Sequence, residues 1–153
     1  MKYILFTLIL CLLLTGCGRQ PVQTAHFSVS RADTCITLDA PAEPVLAALG
    51  APFGYGESLA PGRAGVEKTY RFQGLKLRTY PGQDGERILG VLITDGSMGT
   101  PEGIRVGDSA SRVRECFGQD AIQGNRCTIQ TASEKMVLLL ENNLVASIQC
   151  SLI

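Results

Sequence analysis

The residues of this 153-residue chain that could do chemistry are few, and their spacing argues against catalysis. Six cysteines are present: Cys11, Cys17, Cys35, Cys116, Cys127 and Cys150. The last four are separated by 81, 11 and 23 positions, so no Cys-x2-Cys pair is available to start a zinc site. No metal and no cofactor is expected. The single histidine, His26, stands in a polar run without a cysteine or carboxylate cluster, and it reads as a solvated side chain. With no other histidine, a Ser-His-Asp or Cys-His mechanism lacks its general base. Thr94-Asp95-Gly96-Ser97 brings an acid near a hydroxyl, but Asp-Gly-Ser at a strand end is turn chemistry. Nucleophile-elbow, phosphate-loop and His-Glu-x-x-His patterns are absent, and no acidic pair suited to glycoside hydrolysis stands out. The residues predict a protein that is not an enzyme.

One cysteine does point to a reaction. Lys2 precedes an apolar run of twelve residues, 3–14. That is short of the roughly 20 residues a bilayer span needs, but it suits a secretory leader. The run ends Leu13-Leu14-Thr15-Gly16-Cys17, which resembles the processing box of bacterial lipoproteins: aliphatic, small, small, cysteine. The resemblance implies cleavage before Cys17 and a diacylglyceryl thioether on its sulfur. Two or more acyl chains hold a protein at a membrane where one is marginal. Residues 1–16 are therefore expected to be a signal peptide. The mature chain of 137 residues is expected to lie outside the cytoplasm, at the cell membrane or envelope, and to meet the membrane through lipid on Cys17.

Composition bounds the rest. The chain is 45% hydrophobic and 18% charged, which is globular rather than disordered. Fourteen basic residues balance fourteen acidic ones, so there is no general electrostatic attraction to nucleic acid or anionic lipid, and no nucleic-acid partner is expected. Cys35, Cys116, Cys127 and Cys150 are an even set in an exported chain. They permit two disulfides in three connectivities, or four free thiols acting as small apolar side chains.

The elements that would position any site come in two rounds. Residues 17–33 are polar and read as a tether. Residues 36–50 (ITLDAPAEPVLAALG) and 104–118 (IRVGDSASRVRECFG) then align at an offset of 68, matching Ile36 with Ile104, Ala42 with Ala110, Val45 with Val113 and Gly50 with Gly118. Each spells an extended piece, a short helix with apolar residues at i and i+4, and a terminating glycine. Strands are predicted after each helix: 68–72, 75–80 and 87–94 in the first round, and 126–131, 136–141 and 144–151 in the second. Gln73-Gly74 and Asn142-Asn143 are two-residue hairpin turns. The expected organisation is a first repeat at 34–94, a connector at 95–103 and a second repeat at 104–153.

Two strand faces are candidate binding surfaces. With Phe72 opposite Leu75, Arg71, Lys76, Arg78 and Tyr80 share a polar face. In the last hairpin both faces are apolar. Met136, Leu138, Leu140 and Val145 form one strip, and Val137, Leu139, Ala146, Ile148 and Cys150 form the other. Either both strips are covered or one is open to a partner.

The phrase Gly107-Asp108-Ser109-x-x-x-Val113-x-x-x-Phe117-Gly118 resembles the helix opening of two related groups. These are the secreted β-lactamase-inhibitor protein and the small lipoprotein of the outer-membrane barrel-assembly machinery. Thr79-Tyr80-Pro81 and Thr100-x-Glu102-Gly103-Ile104 also resemble wording found in Gram-positive lipoproteins. The resemblance implies an α+β fold, a tandem repeat of short helix plus antiparallel β-meander, with helices packed on one side of a curved antiparallel sheet. It also implies a bridge from helix end to first strand, here Cys116–Cys127, leaving Cys35 and Cys150 as the second pair. The function expected is a non-catalytic module that binds a protein or scaffolds the envelope. The alternative is an inhibitor of a secreted or envelope enzyme, and a small hydrolase stands a distant third.

Overall fold

A computed structural model describes residues 27–31, 33–59 and 65–153 of the chain. Among them the elements run β1 (Ser28–Arg31), β2 (Thr34–Thr37), α1 (Ala42–Leu49), β3 (Gly54–Leu59), β4 (Val66–Phe72), β5 (Leu75–Gly82) and β6 (Gly85–Ile93). They continue with α2 (Ala110–Phe117), a 3-10 turn, β7 (Ile122–Gln123), β8 (Arg126–Gln130), β9 (Glu134–Glu141) and β10 (Leu144–Leu152). Two-residue turns set the registers. Gly74, at φ 68°, lets Phe72 pair with Leu75, while Asn142 and Asn143, at φ 51° and 61°, let Glu141 pair with Leu144. Successive positive φ values are what a type I′ hairpin needs, and asparagine tolerates them.

Eight strands form a single antiparallel sheet in the order β3-β4-β5-β6-β10-β9-β8-β7, and β1 and β2 form a separate hairpin. Each half of the sheet is a meander running from its edge inward, and the halves meet where Ile93, Leu92, Val91 and Gly90 face Ile148, Gln149, Cys150 and Ser151. Alternation sends Leu75, Leu77, Met136, Leu138 and Leu140 to one side, where they are buried with Val29 and Ile36 of the small hairpin, Val45 of α1 and Val113 of α2. Burying side chains of this size contributes roughly 1.5–3 kcal/mol each, and this layer is the main source of stability.

The α+β architecture with helices packed over one side of a sheet is overturned. Strand accounts for 54% of the described structure and helix for 16%. Each helix is eight residues long, about 12 Å at 1.5 Å per residue, too short to cover eight strands. Three strands escaped prediction: β1, within the run read as a tether, β3, whose glycines lower its strand propensity, and the two-residue β7. The tether is also shorter than expected. Within 17–33, Ser28–Arg31 is strand β1, Val29 is fully buried, and the Phe27 amide donates to the buried Glu134 carboxylate at 2.6 Å. The signal segment, Cys17 and His26 lie outside the described residues.

Positions 68 apart play matching parts. Gly50 and Gly118 end the two helices, at φ 78° and 102°, each donating its amide to a carbonyl four residues back. Asp39 and Gly107 both have positive φ. The Asp39 amide donates to the Ile88 carbonyl and the Gly107 amide to the Val145 carbonyl, each at 2.8–2.9 Å. Ser109 caps α2 by accepting from the Arg112 amide, whereas α1 opens at Pro41 without a side-chain cap.

Candidate binding surface

The side of the sheet away from the core holds the candidate site. Arg71 on β4 stands directly opposite Lys76 on β5, with Arg78 two residues farther along. Like charges face to face are mildly destabilising in a sheet. Arg78 is relieved by an ion pair with Glu67 at 2.5 Å. Arg71 and Lys76 form no ion pair among the described residues. Beside them, where β6 meets β10, a small hollow of about 80 Å³ is lined by Lys76, Arg78, Gly90, Leu92, Gln149 and Ser151. Gly90 keeps its floor low, since a Cβ there would come within 2.9 Å of the Cys150 carbonyl oxygen. A hollow with the Gln149 amide and Ser151 hydroxyl beside the Lys76 ammonium suits a carboxylate, through charge-assisted hydrogen bonds. It offers no nucleophile paired with a base. Among the described residues no cluster of His, Cys, Asp and Glu is placed to hold a metal.

The sheet thus brings Arg71, Lys76 and Arg78 together, and the Tyr80 hydroxyl is engaged elsewhere. The Tyr80 hydroxyl donates to Asp39, whose carboxylate also takes Arg87 at 2.8 Å. Burial first, then this bond, raises the Tyr80 phenol. The apolar strip of the last hairpin is not a surface. Met136, Leu138, Leu140 and Val145 are all core. A bulge explains the misreading: Val145 faces Leu140 but Ser147 faces Leu139, so Ala146 is an extra residue that reverses the alternation. Val145 therefore shares its side with Ile148 and Cys150. β6 has the same irregularity, with Leu89 extra between Ile88 and Gly90.

The expected disulfides are not formed. All four described cysteines are free. Cys35 is exposed beside Thr37, and Cys116 points toward the Glu102 carbonyl. Cys127 and Cys150 are fully buried. Cys127 and Cys150 behave as small apolar side chains. Burial pushes the Cys150 thiol up to about 12, with Glu134 and Glu102 adding to the effect.

Sequence reasoning missed a polar cluster on the core side of the first meander. The Glu86 carboxylate accepts from Tyr70 and Thr79, each at 2.9 Å, and pairs with Lys68. Burial would raise this carboxyl, but the bonds from Lys68, Thr79 and Tyr70 together outweigh it and hold Glu86 below its usual range. Burial, then the bond to Glu86, raises Tyr70 to about 12. Tyr70 also packs its ring against Tyr55, centroids 5.3 Å apart. The cluster sits at the foot of α1, where Glu43, Leu46 and Ala47 line an open cleft with Tyr70 and Glu86. Every polar atom in it is spent on its neighbours, so it fastens strands and presents no free reactive group.

A scan against known protein families finds no match, and a search of curated proteins finds none. Among solved structures the chain is similar to an extracellular protein containing an SCP domain from Bacillus anthracis. The identity is 8%, the match covers 74% of this chain and 43% of that one, and the TM-score is 0.44. The chain thus spans less than half of that protein's length. No described helix is long and apolar enough to cross a membrane.

Proposed function

We propose that this chain is a lipid-anchored, extracytoplasmic binding module, without catalysis of its own, whose exposed sheet face receives an acidic segment of a protein partner. The observation that carries the reading is Arg71 held opposite Lys76, with no ion pair to either among the described residues. A sheet that served only to enclose a core would be more stable with one of these charges neutral or reversed. The leader and Leu13-Leu14-Thr15-Gly16-Cys17 support the anchoring. No net charge draws the molecule to anionic partners in general, so recognition rests on this local patch.

One set of cells tests both parts. Full-length chain carrying a photo-crosslinking side chain at Gln149 is irradiated, with and without Arg71→Glu and Lys76→Glu. A captured protein whose yield falls at least tenfold on charge reversal, at unchanged Tm, is the expected result. Capture indifferent to the reversal, or no capture, refutes the binding face. Feeding the cells a palmitate analogue should label the wild type and not Cys17→Ser; equal labelling refutes the anchor.

A further inference from the structure

The two edges of the eight-stranded sheet are finished differently. β7 contributes two residues, and an edge that short gives another strand little to pair with. β3 contributes six, and among the described residues it pairs with β4 alone. It contains no lysine or proline, and its pairing with β4 runs from Gly54↔Arg71 to Leu59↔Val66 without a bulge. Those are among the devices that usually blunt an edge; the one charge β3 carries, on Glu57, accepts a hydrogen bond from Tyr55. Large side chains along it face water: Phe53 is 74% exposed, Tyr55 52% and Leu59 82%.

The sequence of this edge is complementary to itself. We infer that a second copy of the chain pairs there, β3 to β3 and antiparallel, about a two-fold axis through Gly56, making one sixteen-stranded sheet. In that register Phe53 faces Leu59 of the second copy, Gly54 faces Ser58, Tyr55 faces Glu57, and Gly56 faces itself. Each pairing occurs twice, since a two-fold interface is self-complementary. Phe53 with Leu59 covers the two most exposed apolar side chains of the edge. Tyr55 already donates to Glu57 within its own strand, and across the axis each tyrosine ring lies over the other copy's carboxylate stem. Shifting each strand by one residue in one direction sets Glu57 against Glu57, which like charge disfavours. The opposite shift sets Glu57 against Phe53, leaving a carboxylate against an apolar ring. The axis stands normal to the sheet, so the two copies keep their core layers on one side and their Arg71–Lys76 faces on the other. Gly54, Gly56 and Ser58 put only small side chains at the junction on that face.

Gly56 provides the test. A Cβ built there meets nothing within 4 Å, and its backbone φ is one that an ordinary residue adopts, so Gly56→Cys is tolerated. Paired across the axis, two such cysteines fall within disulfide reach, because directly opposed Cα atoms in antiparallel strands stand about 4.5–5.5 Å apart. Ser58→Cys would stand four residues out of register from its own copy, about 13 Å away at roughly 3.3 Å per residue. The full chain is expressed in bacterial cells with Cys35→Ser and Cys116→Ser removing the accessible native thiols. Membranes are mildly oxidised and resolved without reductant. Continued protection of Cys127 and Cys150 from alkylation verifies folding. The expected result is a disulfide-linked species of twice the chain mass from Gly56→Cys and none from Ser58→Cys. Co-expressed Gly54→Cys and Ser58→Cys chains should form the mixed dimer. Monomer alone from Gly56→Cys, equal linkage from Gly56→Cys and Ser58→Cys, or adducts only with a different protein each overturn the proposal.

Discussion

Replacing Glu86 should do more harm than its half-open position suggests. Glu86→Ala removes the acceptor for both Tyr70 and Thr79, and Thr79 is fully buried. An unsatisfied buried hydroxyl costs about 1–3 kcal/mol, and a lost bond from the partly buried tyrosine adds about 1 kcal/mol. Destabilisation of about 2–4 kcal/mol is therefore expected, read as a fall in the urea midpoint at pH 7 with unchanged slope. Glu86→Gln keeps an acceptor oxygen for the two hydroxyls and should cost about 1 kcal/mol. The two variants also differ from wild type in acid. The folded carboxyl titrates below its unfolded value of 4.5, so its contribution is complete above that pH and is lost as pH falls through the folded pKa. Wild type should lose stability over that range faster than Glu86→Gln, which carries no proton-linked group at this site. A Glu86→Ala loss under 0.5 kcal/mol, or equal acid slopes for wild type and Glu86→Gln, would show that the cluster does not fasten the strands.

Leu138→Ala opens a void in the central layer of β9, and it should cost about 2–5 kcal/mol in chemical denaturation; a loss under 1 kcal/mol would refute the placement of this strip in the core. Thiol reactivity should fall into classes. A maleimide reagent modifies Cys35 at once and Cys116 more slowly, while Cys127 and Cys150 react only on unfolding. Non-reduced, unfolded protein should take label on all four, and detection of a Cys116–Cys127 linked peptide would contradict the free thiols.

How much of this was legible beforehand depends on what each signal measures. Turn chemistry located Gln73-Gly74 and Asn142-Asn143, because positive φ limits the residues a tight turn accepts. It placed the Phe72↔Leu75 register, and hence Arg71 opposite Lys76, correctly. Alternation failed at Ala146, since a bulge adds one residue without any compositional mark, and every side assignment beyond it reversed. β3 was invisible because its six residues include two glycines and one carboxylate, and what holds it is pairing with β4. The Glu86 cluster joins residues from three strands across a turn, a proximity that only the register creates.

The seam between β6 and β10 has a consequence for the order in which the sheet can form. Within each meander, pairing joins neighbouring segments, as in Phe72 with Leu75 or Glu141 with Leu144, and closes loops of a few residues. At the seam, Ile93 pairs with Ile148, 55 positions away. Loop-closure entropy rises with the logarithm of loop length, so this step carries the largest single ordering cost in the sheet. That cost falls if the meanders on either side have already collapsed, since each then presents a preformed edge instead of a free coil. The seam's four facing pairs make it a shorter zip than β5–β6 or β9–β10. By loop length the sheet divides into two leaves of short-range pairing and one long-range stitch, although the finished sheet runs through both without a break.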